Sequence, residues 1–268
     1  MVGRDAPGLV PRGGEGDESG EHAVRFLETA ERLNPAAARN RGVAAARGER
    51  ILFTDADCRP LPGWVERLAA ALDAAPVAGG AVTFRLDGDR WALADNVASF
   101  HELLADRPAE ADTAGPLGSL NLAVRLDAWQ RVGPFDEELT TSEDFDWVLR
   151  ARAAGLATAF VPGAVVEHAD VRDGRAAVEA HAAWYGAHFH AFRRRHPHAF
   201  GTGPTWRWRW LLRLAAPLKA RLAARAVFRG HPRLAGSRAR ALPGVVAFKR
   251  AWYRAVLDTW PRRDGTAP

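Results

Sequence analysis

A chain of 268 residues suffices for one large domain, or a domain with an appendage, and can bury most of its unfolded surface. Its 47% hydrophobic and 26% charged residues are ordinary for a soluble globular protein, and one cysteine, Cys58, excludes a disulfide framework or a multi-cysteine zinc site. No apolar run reaches the ~20 residues of a membrane span, and the polar, glycine-rich start lacks the apolar stretch of a secretory signal. A reducing, cytoplasmic setting is the expectation.

The net charge of +5 hides a split. Residues 200–268 hold 15 Lys+Arg against 2 Asp+Glu, whereas the first 199 hold 22 against 30. An acidic body and a basic tail follow, and a basic tail favours anionic surfaces.

In chain order, residues 1–22 have little to bury and read as disordered. Ala23–Leu27 (AVRFL) reads as a strand. Asn34-Pro35 is a turn signal. Ala36–Arg47 reads as an Ala-rich helix closed by Gly48. Arg50–Thr54 (RILFT) reads as a buried strand running into Asp55. Trp64–Ala74 has helical spacing, with Trp64, Leu68 and Leu72 on one face. A strand is expected at Ala78–Phe84, a helix at Arg90–Ala105, a loop and strand at Gly115–Val124, and a short helix at Leu126–Val132. Ser142–Ala154 reads as a helix that Ser142 caps, with acidic residues in its first turn. Short strands at Ala157–Val161 and Ala164–Glu167 lead to His168. This alternation predicts an α/β sandwich.

Beyond about residue 175 the pattern turns helical and basic. His181–His198 holds five of the nine histidines and reads as a basic helical surface. Trp206, Trp208 and Trp210 alternate with arginines. Leu211–Phe228 reads as a helix with a break at Pro217. Val245, Phe248, Trp252 and Val256 form an apolar stripe. The expected division is a segment 1–22, a catalytic domain 23–175 and a helical, Trp/Arg-rich region 176–268.

Asp55 and Asp57 follow a strand, where ligands bind in open α/β sheets. Hard carboxylate oxygens one residue apart suit Mg²⁺ or Mn²⁺, and a cation there can neutralise a departing diphosphate. The plain alternative is a loop cap. Glu143-Asp144 opens a helix; capping is the plain reading, and the functional one makes a carboxylate the general base for an acceptor hydroxyl. His168 alone reads as a structural histidine, and Cys58 as a small buried residue.

Two strings then join these residues. NPAAARNRGVAAARGERILFTDADCRPLPGWVERL resembles the donor half of a family 2 glycosyltransferase of the GT-A fold, and GPLGSLNLAVRLDAWQRVGPFDEELTTSEDFDWVLRARAAGLATAFVPGAVVEH resembles its acceptor half. Order and spacing match from about Asn34 to His168. The resemblance implies a GT-A-like, Rossmann-like three-layer sandwich with a helical, basic C-terminal extension. It implies Asp55 and Asp57 as the metal and diphosphate motif, Asp144 as catalytic base with Glu143 in support, and Arg39 and Asn40 as donor-binding. It implies Gly118 and Asn121 facing the acceptor, and His168 completing the metal site. Family members begin with two further strands that nothing here matches, so the resemblance implies an N-terminally truncated sheet.

The implied activity is inverting transfer from a nucleoside-diphosphate sugar to an acceptor hydroxyl, with a divalent cation. The acceptor would be a glycan or a lipid-linked, cell-envelope glycan. The basic, Trp-rich tail suits peripheral association with an anionic membrane. The alternative is an inactive relative that binds sugar or a partner chain. Nucleic acid is not expected as a partner: the tail offers stacking and phosphate contacts, but no nucleic-acid motif accompanies it.

Overall fold

The computed structural model describes residues 25–107, 115–200 and 209–260. Contacts divide the chain into two units, residues 1–33 and 34–268. In the first, the described residues 25–33 form no regular element. The strand expected at Ala23–Leu27 is therefore irregular where it is described. Phe26 and Leu27 are exposed, and no ladder satisfies the backbone there. Segment 1–22 lies outside the described residues.

In the second unit, Asn34 caps the first helix: its Oδ1 accepts from Ala37 N at 2.8 Å, and Pro35 takes the first helical position. The elements in order are α1 (Pro35–Ala45), β1 (Arg50–Thr54), β2 (Cys58–Pro60), α2 (Trp64–Ala74), β3 (Val77–Thr83), α3 (Arg90–Phe100), β4 (Asn121–Arg125), α4 (Leu126–Val132), α5 (Glu143–Ala153) and β5 (Thr158–His168). After them come α6 (Arg175–Arg195), α7 (Pro197–Phe200), α8 (Arg209–Gly230) and α9 (Arg238–Asp258). Short 3₁₀ turns occupy His101–Leu103 and Pro232–Ser237.

The five strands are ordered β1-β4-β3-β5-β2. β3 and β5 run parallel, and the other three pairings are antiparallel. Alternation along the central strands sorts their side chains into two cores. Val77, Ala81, Leu122 and Val124 face one, with Phe135, Trp129 and Trp147. Ala78, Val82, Ala123 and Val166 face the other, with α2, α3, α6, α8 and α9. A sheet covered on both faces makes three layers.

The helices after residue 175 belong to the second core. Val178, Ala182, Ala224, Val227, Val245 and Phe248 share it with Leu68 and Val97. Tight contacts weld this region to the rest. A Cβ on Gly186 would meet Trp252 O at 2.5 Å, and one on Gly244 would meet Ala94 Cβ at 2.4 Å.

Two local expectations are corrected. Pro217 lies inside α8 and does not break it; burial of Ala220, Ala224, Val227 and Phe228 outweighs one lost ladder bond. Two of the three histidines of α6, His181 and His190, are turned inward and not part of a basic surface. His181 Nδ1 meets Asp95 Oδ1 at 2.7 Å, and a ring nitrogen of His190 meets Val256 O at 2.8 Å. Just beyond the helix, His196 Nε2 meets Asp146 Oδ1 at 2.8 Å.

Candidate active site

Asp55 is the first residue beyond β1, and the turn after it closes with Cys58 N donating to Asp55 O at 3.0 Å. The chain then enters β2, whose Cys58 lies opposite His168 of β5. Ala169 N donates to Asp57 O at 2.9 Å, so backbone pairing alone brings Asp57 and His168 together. Asp57 Oδ2 lies 3.5 Å from His168 Nε2. A hydrogen bond from His168 is the largest influence on Asp57 and holds its carboxyl below the usual range, against the opposing effect of burial.

The second acidic pair opens α5. Ser142 takes a left-handed conformation, φ 64°, the one non-glycine residue with positive φ among those described. Its side chain forms no cap, contrary to expectation; its carbonyl accepts from Asp146 N at 2.9 Å. This turn costs on the order of 1–2 kcal/mol. It aims Glu143 inward and Asp144 toward the Gly118 loop. Asp144 Oδ2 accepts from Ser119 N at 2.8 Å and Ser119 Oγ at 3.1 Å, and its Oδ1 accepts from Phe145 N at 2.8 Å.

Arg39 joins the two pairs. Its Nη1 donates to Glu143 Oε1 at 2.5 Å and its Nη2 to Asp55 Oδ1 at 2.6 Å. Burial lowers the guanidinium's pKa, yet the charges of Asp55, Asp144 and Glu143 leave it above the ordinary value. Glu143 goes the other way. Burial first, then the Asp144 charge, push it up to about 7 against the pull of Arg39. Cys58 is pushed up to about 12 by burial and by Asp57 and Asp55, so its thiol is inert.

The other sequence candidates divide. Gly118 lies against the site: a Cβ there would come 2.8 Å from Leu120 Cδ2, 3.2 Å from Leu103 Cδ1 and 3.6 Å from Asp144 Oδ2. Asn121 is 1% exposed and turned into the core, so the acceptor contact implied for it is replaced by a structural role. Its Oδ1 accepts from Trp64 Nε1 at 2.8 Å, and its Nδ2 donates to Ala81 O at 2.8 Å and Ala164 O at 2.9 Å. Those carbonyls flank the register shift between β3 and β5, so Asn121 plugs a bulge. Asn40 likewise ties α1 to Phe135: its Nδ2 donates to the Phe135 carbonyl at 3.0 Å, and its Oδ1 accepts from Phe135 N at 2.9 Å.

Three residues that the sequence did not single out belong here. Ser119 holds Asp144. Arg172, four residues beyond His168, donates to Asp95 Oδ2 at 3.1 Å, and its charge helps lower Asp57. Tyr185 of α6 is pushed upward by burial and then by the charges of Asp144 and Glu143.

Asp57 and His168 fit a divalent cation: one oxygen and one nitrogen ligand at adjoining strand ends. His168 Nε2 is the ring atom beside Asp57 Oδ2, and Asp57 opens outward. Asp55 turns its Oδ1 to Arg39. No third His, Cys, Asp or Glu converges with them among the described residues.

Residues 16–120 match the model of Glycosyl transferase family 2. That match takes in about two fifths of the chain. Glycosyltransferase AglE of Haloferax volcanii is 32% identical over 126 residues, 46% of this chain and 40% of that protein. Pre-mycofactocin glycosyltransferase of Mycobacterium tuberculosis is 31% identical over 192 residues, 68% of this chain and 40% of that protein. The chain thus spans about two fifths of the length of these relatives. Among solved structures, the mannosyltransferase PcManGT from Pyrobaculum calidifontis, in complex with GDP-Man and Mn²⁺, superposes with a TM-score of 0.49 at 19% identity. That match covers 84% of this chain and 68% of the other. The region matched by the family model contains Arg39, Asp55, Asp57 and Gly118. Its partners Glu143, Asp144 and His168 lie beyond it and are joined to it by the contacts above.

Proposed function

We propose that this chain transfers a sugar from a nucleoside-diphosphate donor to an acceptor hydroxyl, by single displacement with inversion. The observation that carries this reading is Arg39, which links the Asp55–Asp57 turn to Glu143-Asp144 in one site. Asp57 and His168 would hold a Mg²⁺ or Mn²⁺ ion, which supplies charge stabilisation to the leaving diphosphate. Arg172 adds a fixed positive charge on the same side. Asp144 is the base. Ser119 fixes one of its oxygens, and the carboxylate takes the proton of the acceptor hydroxyl as that oxygen attacks the anomeric carbon. Glu143 shares Arg39 with Asp55 and so ties the start of α5, and with it the base, to the Asp55–Asp57 turn. The test is release of nucleoside diphosphate from a panel of UDP- and GDP-sugars with Mn²⁺. Asp57→Ala is expected to abolish release. Asp144→Asn is expected to abolish transfer while retaining donor binding by calorimetry. Release undiminished in folded Asp57→Ala would overturn the assignment.

A peripheral membrane setting draws on α8. Trp210, Leu214, Leu218 and Leu222 recur every fourth residue on its outer face, with Leu214 72% and Leu218 60% exposed. The helix carries five arginines, one lysine and no acid. An apolar ridge with basic flanks suits the interface of an anionic bilayer. Among the described residues no helix is long and apolar enough to cross one. Flotation with phosphatidylglycerol vesicles is expected to recover the wild type and lose Leu214→Asp/Leu218→Asp; equal recovery sinks the reading. A cell-envelope glycan is the acceptor this setting favours.

A further inference from the structure

A cavity of about 450 Å³ lies beneath α8, outside the residues assigned above. Its polar wall is His101, Glu102, Arg107, His231 and Lys249; its apolar floor includes Pro116 and Val227 of α8. Two fixed cations and two imidazoles thus face one carboxylate, Glu102, which is exposed. Asp106 stands outside this wall, 3.5 Å from His231 Nδ1, and its Oδ2 accepts from Arg233 N at 3.3 Å.

The positive groups are held in place. The Arg107 guanidinium packs on the Phe160 ring at 3.4 Å, and its Nη1 donates to Pro116 O at 2.8 Å. The Lys249 ammonium meets the Phe248 ring at 5.9 Å and feels the Glu102 charge through space. His101 Nδ1 is buried without a hydrogen-bond partner, and His231 Nδ1 has only the 3.5 Å approach of Asp106 Oδ1. Burial pushes His101 down to about 3, with the Lys249 and His231 charges adding to it. Burial also lowers Lys249, which Glu102 opposes. These groups gain from an anion whose oxygens reach several walls at once.

The position matters as well. Pro116 forms part of the wall, and Ser119, three residues on, holds Asp144. Three residues span at most about 10 Å. We propose that this cavity binds a phosphate-type anion, free or as an ester, through Lys249, Arg107 and the two imidazoles. The volume leaves room for a group attached to the phosphate. An ester seated here would hold its substituent close to the loop whose Ser119 holds the base.

The experiment uses the full chain without sugar donor, so its failure leaves the transferase reading standing. The protein is titrated near neutral pH with inorganic phosphate, n-butyl phosphate and n-butanol, and the His101 imidazole is followed by NMR. Either phosphate is expected to shift the His101 ring resonances in a saturable manner, and butanol to leave them unchanged. Lys249→Met is expected to lose this response and to bind phosphate about tenfold more weakly. Its melting temperature should hold or rise, since a half-buried cation is removed; Lys249→Arg should retain binding. Tighter binding of butyl phosphate identifies the ester as occupant, and equal binding identifies the free anion. His101 ring resonances unmoved at about 50 mM of either phosphate, far above a useful affinity, overturn the proposal. Wild-type affinity in folded Lys249→Met does so too.

Discussion

Replacing Arg39 by Met should destabilise the protein in a manner that grows with pH. Glu143 has an ordinary pKa of 4.5 and stands at about 7 in the folded chain, with its side chain 8% exposed. A carboxyl raised on folding contributes stability that is complete below its unfolded pKa and lost as pH climbs to the folded value. In the wild type that loss is therefore spent by about pH 7, at about 3 kcal/mol. Without Arg39 the folded pKa moves higher, and Glu143 must take up a proton on folding at every pH below it. Each pH unit above 7 then costs the variant about 1.4 kcal/mol that the wild type does not lose. At pH 6 both chains hold Glu143 neutral, and the variant lacks only its packing and the Asp55 contact. Between pH 6 and pH 9 the gap should widen by about 2–3 kcal/mol, or about 4–12 °C in Tm for a chain of this size. Urea and thermal melts at both values measure it. Adding Glu143→Gln should flatten the dependence. A gap independent of pH, or one that survives Glu143→Gln, would refute this account of the Arg39–Glu143 pair.

Asn121→Ala should cost about 3 kcal/mol in urea unfolding, because a buried indole N–H and two bulge carbonyls lose their partner together. Cost below about 0.5 kcal/mol would mean that the bulge stands without its plug. Gly186→Ala should lower stability by about 1–3 kcal/mol through the 2.5 Å approach to the Trp252 carbonyl, visible as a lower Tm. Cys58, with a thiol near 12, should react with iodoacetamide at neutral pH about a thousandfold more slowly than after unfolding in urea. Rapid labelling of the folded chain would contradict its burial.

The Asp55–Asp57 turn was legible because its geometry is local: a buried β-rich run, RILFT, ends directly in Asp55. Glu143-Asp144 was legible as a helix start, but not as a partner of Arg39, since that contact crosses 104 residues. Asn121 was misread for the same kind of reason. The acceptor-facing place came only from the resemblance, and the bulge between β3 and β5 is what turns the side chain inward. Tyr185 and Arg172 carried no local signal, because their significance lies in the distant charges they face. The histidines of α6 looked like a solvated face in composition; the buried acceptors of His181 and His190, Asp95 and Val256 O, come from α3 and α9. Periodicity predicted the helices well and underestimated α8, whose inner face is alanine and valine and gives a weak apolar contrast.

The strand order has a kinetic consequence. In β1-β4-β3-β5-β2 no two neighbouring strands are joined by a hairpin, and the chain must complete β5 before β2 has any partner among the described strands. Topologies of this kind fold slowly, since long loops close before their contacts reward them. The pairing of Cys58 with His168 closes one of the longest of these loops, and that pairing delivers Asp57 to His168. On the ribosome, Asp57 would emerge early and wait for more than a hundred further residues. Assembly of the Asp57–His168 pair is thus a late event, and, on the function proposed above, divalent-cation binding during refolding would report the last step of sheet closure.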